Sequence, residues 1–305
     1  MPGIYLQALF SGLALGGAYG LIALSFSITF LSTRTLNFSQ GELISFAAFV
    51  GVTVFALISG GSSLTTIGSV FPAFTYPLAL LLAGLAAAGV GVLLFIFAVR
   101  PFAGAQNMNW VMSTIGFGTI LQSLGLAVWG PAPVMIPPPL GNDVIQLWGA
   151  GVRPQEILLL ASALLIMTAL DLIKRRSRIG KAMMAVAHSP ETASLMGINV
   201  MAFMVAAFAV SGLLAGVAGV LVAPITSASL FIGMAIALKA FSAAMIGGLS
   251  NPRGCVYGGF ILGVIESFVG LWQAQWREIV VFVLIILVLA IRPAGLFARP
   301  AVDKV

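Results

Sequence analysis

Two charged side chains lie within apolar stretches that are predicted to form helices, and they are the residues most able to do chemistry there. Lys239 and Glu266 flank a predicted turn at Pro252–Gly254. At 1.5 Å per residue, Lys239 lies roughly 18–20 Å along one helix and Glu266 roughly 18 Å along the next. Charges are unfavourable in an apolar interior, so we predict an ion pair or shared polar network that holds two helices together. Direct contact with a polar substrate group is the alternative.

A second polar group follows Arg34 and occupies Asn37-Phe38-Ser39-Gln40-Gly41-Glu42. Polar side chains beside a glycine at the mouth of a helix are typical of broken helices that line a cavity. Asn37, Gln40 and Glu42 are therefore candidates for a pathway through the protein, and Arg34 can pair with Glu42 across the turn. The competing interpretation is a capped helix start with a solvated surface pair.

The chain carries no recognisable catalytic constellation. It has one cysteine, Cys255, and one histidine, His188, which cannot form an internal disulfide or a zinc site. The phosphate-binding loop motif is also absent, because Ala182 follows Gly180-Lys181 and Arg175 stands where the first glycine belongs. We therefore expect no enzymatic activity, metal or cofactor in this chain. If this protein moves a solute against its concentration gradient, the energy must come from a partner or from an ion gradient.

The composition defines the class of protein. Of the 305 residues, 60% are hydrophobic and 7% are charged, against about 25% charged residues in soluble domains. The mean hydropathy is +1.14, which predicts an all-α polytopic membrane protein. The net charge of +6 does not indicate nucleic-acid binding, since no Lys/Arg-covered domain exists to contact phosphates.

A transmembrane helix needs about 20 apolar residues to cross about 30 Å of hydrocarbon. Charge-free runs and turn residues give nine candidate spans near 7–31, 42–59, 77–99, 110–129, 155–173, 200–222, 231–249, 255–273 and 277–292. The second and seventh contain enough small or polar residues to be broken or re-entrant. We read residues 1–305 as one transmembrane domain with eight or nine spans.

Basic residues predict the orientation of the chain. The run from Lys174 to Lys181 marks the loop after the fifth span as cytoplasmic, because short cytoplasmic loops are enriched in Lys and Arg. Alternation then puts the N-terminus outside and the C-terminus in the cytoplasm. Six further basic residues fall on the cytoplasmic side, namely Arg34, Arg100, Arg253, Arg292, Arg299 and Lys304.

Glycine spacing predicts close helix packing. Gly12, Gly16 and Gly20 recur every four residues, as do Gly254 with Gly258 and Gly259 with Gly263, and such spacing lets helix backbones approach closely. A faint internal echo relates residues 81–86 to residues 213–218. The two segments would run in opposite directions, as inverted-repeat transporter folds require.

The cytoplasmic loop, residues 174–199, contains a predicted short helix at Pro190–Met196. Ser189 is a suitable N-cap, Glu191 suits the positive end of the helix dipole, and Gly197 can close the helix in a left-handed conformation. One face holds Ala193, Leu195 and Met196. Either this face packs back on the bundle, or it docks into the groove of a cytoplasmic partner.

The chain resembles, over nearly its whole length, the permease subunit of bacterial ABC importers of the branched-chain (hydrophobic) amino acid class. The resemblance rests on Asn37-Phe38 with Gly41-Glu42; on Arg178, Gly180, Ala182, Ala193 and Gly197-Ile198-Asn199; on residues 214–221; on Lys239-Ala240-Phe241, Gly247-Gly248, Gly258-Gly259, Gly263 and Glu266; and on Arg292-Pro293 with Gly295-Leu296. The family usually has Ala-His where this chain has Ser39-Gln40.

The resemblance implies a bundle related to vitamin B12 and ribose importer permeases, in the bacterial inner membrane. It implies a coupling helix, with Arg178, Gly180, Ala182, Ser189, Glu191, Ala193 and Gly197 at the ATPase interface. The implied partners are a second permease of divergent sequence, two ATPase subunits that bind ATP and magnesium, and an extracytoplasmic binding protein. The implied function is import of branched-chain amino acids or related small solutes by alternating access. The alternative is a secondary transporter or channel that needs no ATPase.

Overall fold

The computed structural model describes residues 2–59, 72, 74–102, 108–141, 143–147 and 149–298. These residues form eleven α-helices: α1 (Pro2–Thr33), α2 (Gln40–Ser59), α3 (Thr75–Leu94), α4 (Asn109–Trp129), α5 (Pro154–Arg176), α6 (Arg178–His188), α7 (Pro190–Leu195), α8 (Val200–Thr226), α9 (Ile232–Gly247), α10 (Pro252–Trp272) and α11 (Trp276–Ile291). A small antiparallel hairpin, β1 (Ile145–Leu147) with β2 (Ala150–Val152), lies between α4 and α5. The predicted all-α polytopic class is confirmed.

Each of the nine predicted spans coincides with a helix. Seven helices in the described ranges are long and apolar enough to cross a membrane, namely α1, α2, α3 with its continuation to Phe102, α4, α5, α8 and α10. Helices α9 and α11 have 16 residues each, or about 24 Å at 1.5 Å per residue. They are therefore shorter than the hydrocarbon core.

The second and seventh spans, which were predicted to be broken or re-entrant, contain no break, since α2 and α9 are each continuous. Their polar side chains bond to nearby carbonyl oxygens and do not interrupt the helix. Thr53 donates to the carbonyl of Phe49 at 2.9 Å, and Ser242 donates to that of Leu238 at 2.8 Å. The irregular backbone lies before α2, in residues 34–39.

Glycines bring α1 and α10 into close antiparallel contact, as their spacing predicted. A β-carbon on Gly12 would lie 2.8 Å from the Cα of Val264, and one on Gly16 would lie 2.8 Å from the Cα of Phe260. Both distances are too short for a side chain. The two backbones can approach this closely only because glycine occupies these positions.

The two segments of the internal echo pack against each other. Ala83 of α3 lies opposite Gly216 of α8, and Ala87 lies opposite Gly212. The contacting residue numbers increase along α3 as they decrease along α8, so the two helices are antiparallel. The predicted opposite direction of the two segments is confirmed, and their small residues form the contact.

The loop after α5 folds into two helices, of which the sequence analysis predicted one. Helix α7 has Ser189 as its N-cap, whose Oγ accepts from the Thr192 amide at 3.3 Å, and Gly197 follows with φ of +80°. The predicted helix is therefore confirmed, one residue shorter at its end. Helix α6 was missed, although Ser177 caps it by accepting from the Gly180 amide at 2.9 Å.

Candidate functional site

The end of the bundle that holds α6, α7 and the start of α10 is here called the basic end. Lys174, Arg175, Arg176 and Arg178 cluster there. The guanidinium of Arg253 at the start of α10 donates to both carboxylate oxygens of Asp171, at 2.7 and 2.6 Å. This exposed double hydrogen bond ties α10 to the end of α5.

Residues 178–197, which hold α6 and α7, are called the coupling segment after the role that the sequence predicts for them, and they contain the seven predicted interface residues. Gly180 and Ala193 are buried, Ala182 and Ser189 are half-buried, and Arg178, Glu191 and Gly197 are exposed. The predicted apolar face of α7 is divided. Ala193 is 3% exposed, whereas Leu195 and Met196 are 88% and 79% exposed. The buried side anchors the coupling segment, and the exposed side leaves two large apolar side chains without cover.

Polar residues on three helices and one loop meet inside the bundle. The Gln40 amide donates to Ser25 Oγ at 2.7 Å, and its Oε1 accepts from the Asn37 amide at 2.9 Å and from Ser211 Oγ at 3.3 Å. Ser39 Oγ donates to the carbonyl of Thr114 in α4. We call Ser25, Asn37, Ser39, Gln40 and Ser211 the polar cluster, and all five are at most 1% exposed. Asn37 and Gln40 were predicted from the sequence. Ser25 and Ser211 were not, because each is an isolated serine in an apolar helix and no local pattern marks it.

The polar cluster fixes the depth at which α2 begins. Ser25 precedes Thr33, the last residue of α1, by eight residues, or about 12 Å. Ser211 follows Val200, the first residue of α8, by eleven residues, or about 16 Å. Both of those helix termini lie near the basic end, so Gln40 begins α2 about 12–16 Å into the bundle. Residues 34–39 thus run back into the interior as unwound backbone.

The predicted contact between Arg34 and Glu42 is absent. Arg34 Nη2 donates to the carbonyl of Ala187 at 3.1 Å, and its guanidinium carbon lies 5.7 Å from the centre of the Phe30 ring. Glu42 instead faces α4, where its buried Oε2 has no hydrogen-bond partner in the described ranges and lies beside Gly118. The two residues separate because Arg34 stays at the basic end while α2 begins deep inside.

The predicted ion pair between α9 and α10 is present. Lys239 Nζ lies 2.6 Å from Glu266 Oε1, and the two side chains are 16% and 6% exposed. The second carboxylate oxygen, Oε2, has no hydrogen-bond partner among the described residues. The pair therefore joins two helices at a mostly buried position, as predicted.

A polytopic bundle with antiparallel repeat-like helices and buried, unwound polar backbone is typical of membrane transport proteins. The family of branched-chain amino acid transport system permease components matches residues 8–289. The permease BraD of Pseudomonas aeruginosa is 32% identical over 100% of both chains. The permease LivH of Escherichia coli K12 is 29% identical over 99% of this chain and 98% of its own.

The fructose import permease FrcC of Rhizobium meliloti is 30% identical, over 39% of this chain and 36% of its own. No solved structure matches the chain significantly. The chain belongs to the family of branched-chain amino acid transport system permease components. It is a membrane permease subunit of an ABC importer and acts together with other subunits of such a system.

Proposed function

We propose that this permease carries a branched-chain amino acid, or a related small solute, into the bacterial cytoplasm while separate subunits bind and hydrolyse ATP. Relatives that match over the full length are described as permeases of high-affinity branched-chain amino acid transport systems. The observation that carries the proposal is the coupling segment. It is anchored at Ala193 and exposes Leu195 and Met196 at the basic end.

The coupling segment is the proposed docking site for an ATPase subunit. Ser177 and Ser189 cap its two helices, so its shape is set before a partner binds. Leu195 and Met196 would enter a groove on that partner. The proposed interface includes the seven residues predicted from the sequence, Arg178, Gly180, Ala182, Ser189, Glu191, Ala193 and Gly197. ATP and magnesium would be bound by the partner.

The proposed assembly contains two ATPase subunits, a second permease of divergent sequence and an extracytoplasmic binding protein. The basic end would face the cytoplasm of a bacterial inner membrane, because Lys and Arg are enriched in cytoplasmic loops. The N-terminus of α1 would then lie outside and the C-terminus inside. The chain itself would have no catalytic role.

The proposed pathway passes the polar cluster. Asn37 and Gln40 lie where the unwound backbone leads into α2 inside the bundle, and there backbone and side-chain dipoles can contact a zwitterionic solute. Glu42 lies in the first turn of the same helix. Lys239 and Glu266 would hold α9 and α10 together while other parts of the bundle rock between outward-open and inward-open states.

The docking proposal is tested by co-purification of the complex from cells that express this chain with its ATPase subunits. Leu195→Ser and Met196→Ser should lose most of the bound ATPase. Met135→Ser is the matched control, because Met135 is 78% exposed and follows α4 at the opposite end. Retention of the ATPase by both variants would contradict the proposed docking surface.

The transport proposal is tested in proteoliposomes with a panel of amino acids, urea and aromatic acids. Uptake should require ATP, the ATPase subunits and the binding protein. Uptake by this chain alone, without ATP, would instead support the secondary transporter or channel.

A further inference from the structure

Arg34 connects the coupling segment to the unwound backbone that leads to the polar cluster. Its Nη2 donates to the carbonyl of Ala187 at 3.1 Å. Ala187 lies in the last turn of α6, where backbone carbonyls lack helical partners and the helix dipole favours a cation. Arg34 therefore holds the junction between α6 and α7.

The chain on the other side of Arg34 is firmly connected to the cluster. Thr33 and Thr35 share a hydrogen bond of 2.7 Å across Arg34. Asn37 Oδ1 then accepts from the Ser39 amide at 3.0 Å, and the Asn37 amide donates to Gln40 at 2.9 Å. A displacement of Arg34 would thus move the first turn of α2.

A second connection from the coupling segment reaches the same glutamine. After α7 the chain passes through Gly197 to Asn199, whose Oδ1 caps α8 by accepting from the Ala202 amide at 3.1 Å. Eleven residues into α8, Ser211 donates to Gln40 Oε1. The coupling segment therefore contacts the polar cluster along two routes, one through Arg34 and one through α8.

We propose that Arg34 is a positioning residue that transmits displacement of the coupling segment to the polar cluster, so that ATP hydrolysis and transport stay linked. The inference rests on the proposed function, since the ATPase supplies the displacement. Without Arg34 the route through residues 34–39 is lost, and the α8 route remains. The coupling segment would then move Ser211 while residues 34–39 and the start of α2 stay behind.

The test compares Arg34→Ala with the native chain in the complete complex, reconstituted with its binding protein. We expect ATP hydrolysis to stay near the native rate while transport per ATP falls about tenfold, the factor that corresponds to about 1.4 kcal/mol. Arg34→Lys should recover most of the ratio, because its ammonium can still donate to the carbonyl. Arg292→Ala should leave the ratio unchanged, since Arg292 donates locally, to Leu296 beyond the end of α11.

The inference would be overturned if Arg34→Ala left the ratio of transport to ATP hydrolysis unchanged, including the case in which both rates fall together. If Arg34→Ala fails to assemble, Arg34→Gln replaces it, because its shorter side chain does not reach Ala187, and the same outcomes decide. Failure of the native complex to transport with ATP would overturn the proposed function instead.

Discussion

Removal of one partner from the Lys239–Glu266 pair should destabilise the protein strongly. Lys239→Met leaves Glu266, which is 6% exposed, without its ion-pair partner, and its other oxygen already lacks a hydrogen bond among the described residues. Breaking a buried pair in this way costs about 3–5 kcal/mol, because an uncompensated charge remains. The double variant Lys239→Met/Glu266→Leu should recover most of this loss, since neither charge is left.

The assay is reversible unfolding in mixed detergent micelles, with both single variants and the double variant arranged as a double-mutant cycle. The Asp171–Arg253 pair is the matched control. It has the same short distance of 2.6 Å, but its side chains are 34% and 45% exposed. Its coupling energy should be much smaller, because water and lipid headgroups solvate both charges after either partner is removed.

A coupling energy below about 0.5 kcal/mol for Lys239 and Glu266 would refute the reasoning, since independent sites show the same scatter. Such a result would mean that water or other polar groups stabilise each charge when its partner is removed. The charge exchange Lys239→Glu/Glu266→Lys gives a second check, because it should restore stability lost in either single reversal.

Three further changes test the packing, the polar cluster and the coupling segment. Gly12→Ala should lower the free energy of unfolding by about 1–3 kcal/mol in the same assay. Gly89→Ala should not, because a β-carbon there meets no atom within 4 Å. Equal effects of the two variants would argue against close packing of α1 on α10. Gln40→Leu should cost about 1–3 kcal/mol by leaving buried donors unpaired, and wild-type stability would show that the polar cluster is hydrated. Ser189→Ala should destabilise α7 by about 0.5–2 kcal/mol and reduce co-purification of the ATPase. Unchanged binding would show that the partner, and not the N-cap, stabilises the helical conformation.

Local signals predicted several elements correctly. The nine long apolar helices in the described ranges follow from hydropathy, and α7 follows from Ser189, Pro190 and Gly197, whose preferences act within one or two turns. The ion pair was predictable as well, because two charges at matched distances from one turn can meet in a hairpin. Helix α6 was missed, although Ser177 and apolar residues spaced by three or four positions, such as Ala182 and Val186, are a usable signal.

The depth of α2 could not be predicted in this way. The sequence left residues 34–39 open as a capped surface turn or as cavity-lining backbone, and it allowed a contact between Arg34 and Glu42. Where the chain goes after Arg34 depends on hydrogen-bond partners that lie 15 and 171 residues from Gln40, namely Ser25 and Ser211. No local pattern carries that information.

By itself the sequence determined that this chain lies in a membrane, where its long apolar helices run, and that Lys239 and Glu266 can pair. These properties depend on transfer of side chains from water and on backbone preferences, which are local. Only the tertiary structure decided that Gln40 joins Ser25 and Ser211, and that Arg34 contacts Ala187. Such contacts depend on the packing of helices distant in sequence, because a buried polar group bonds to whichever partner the packing places within reach.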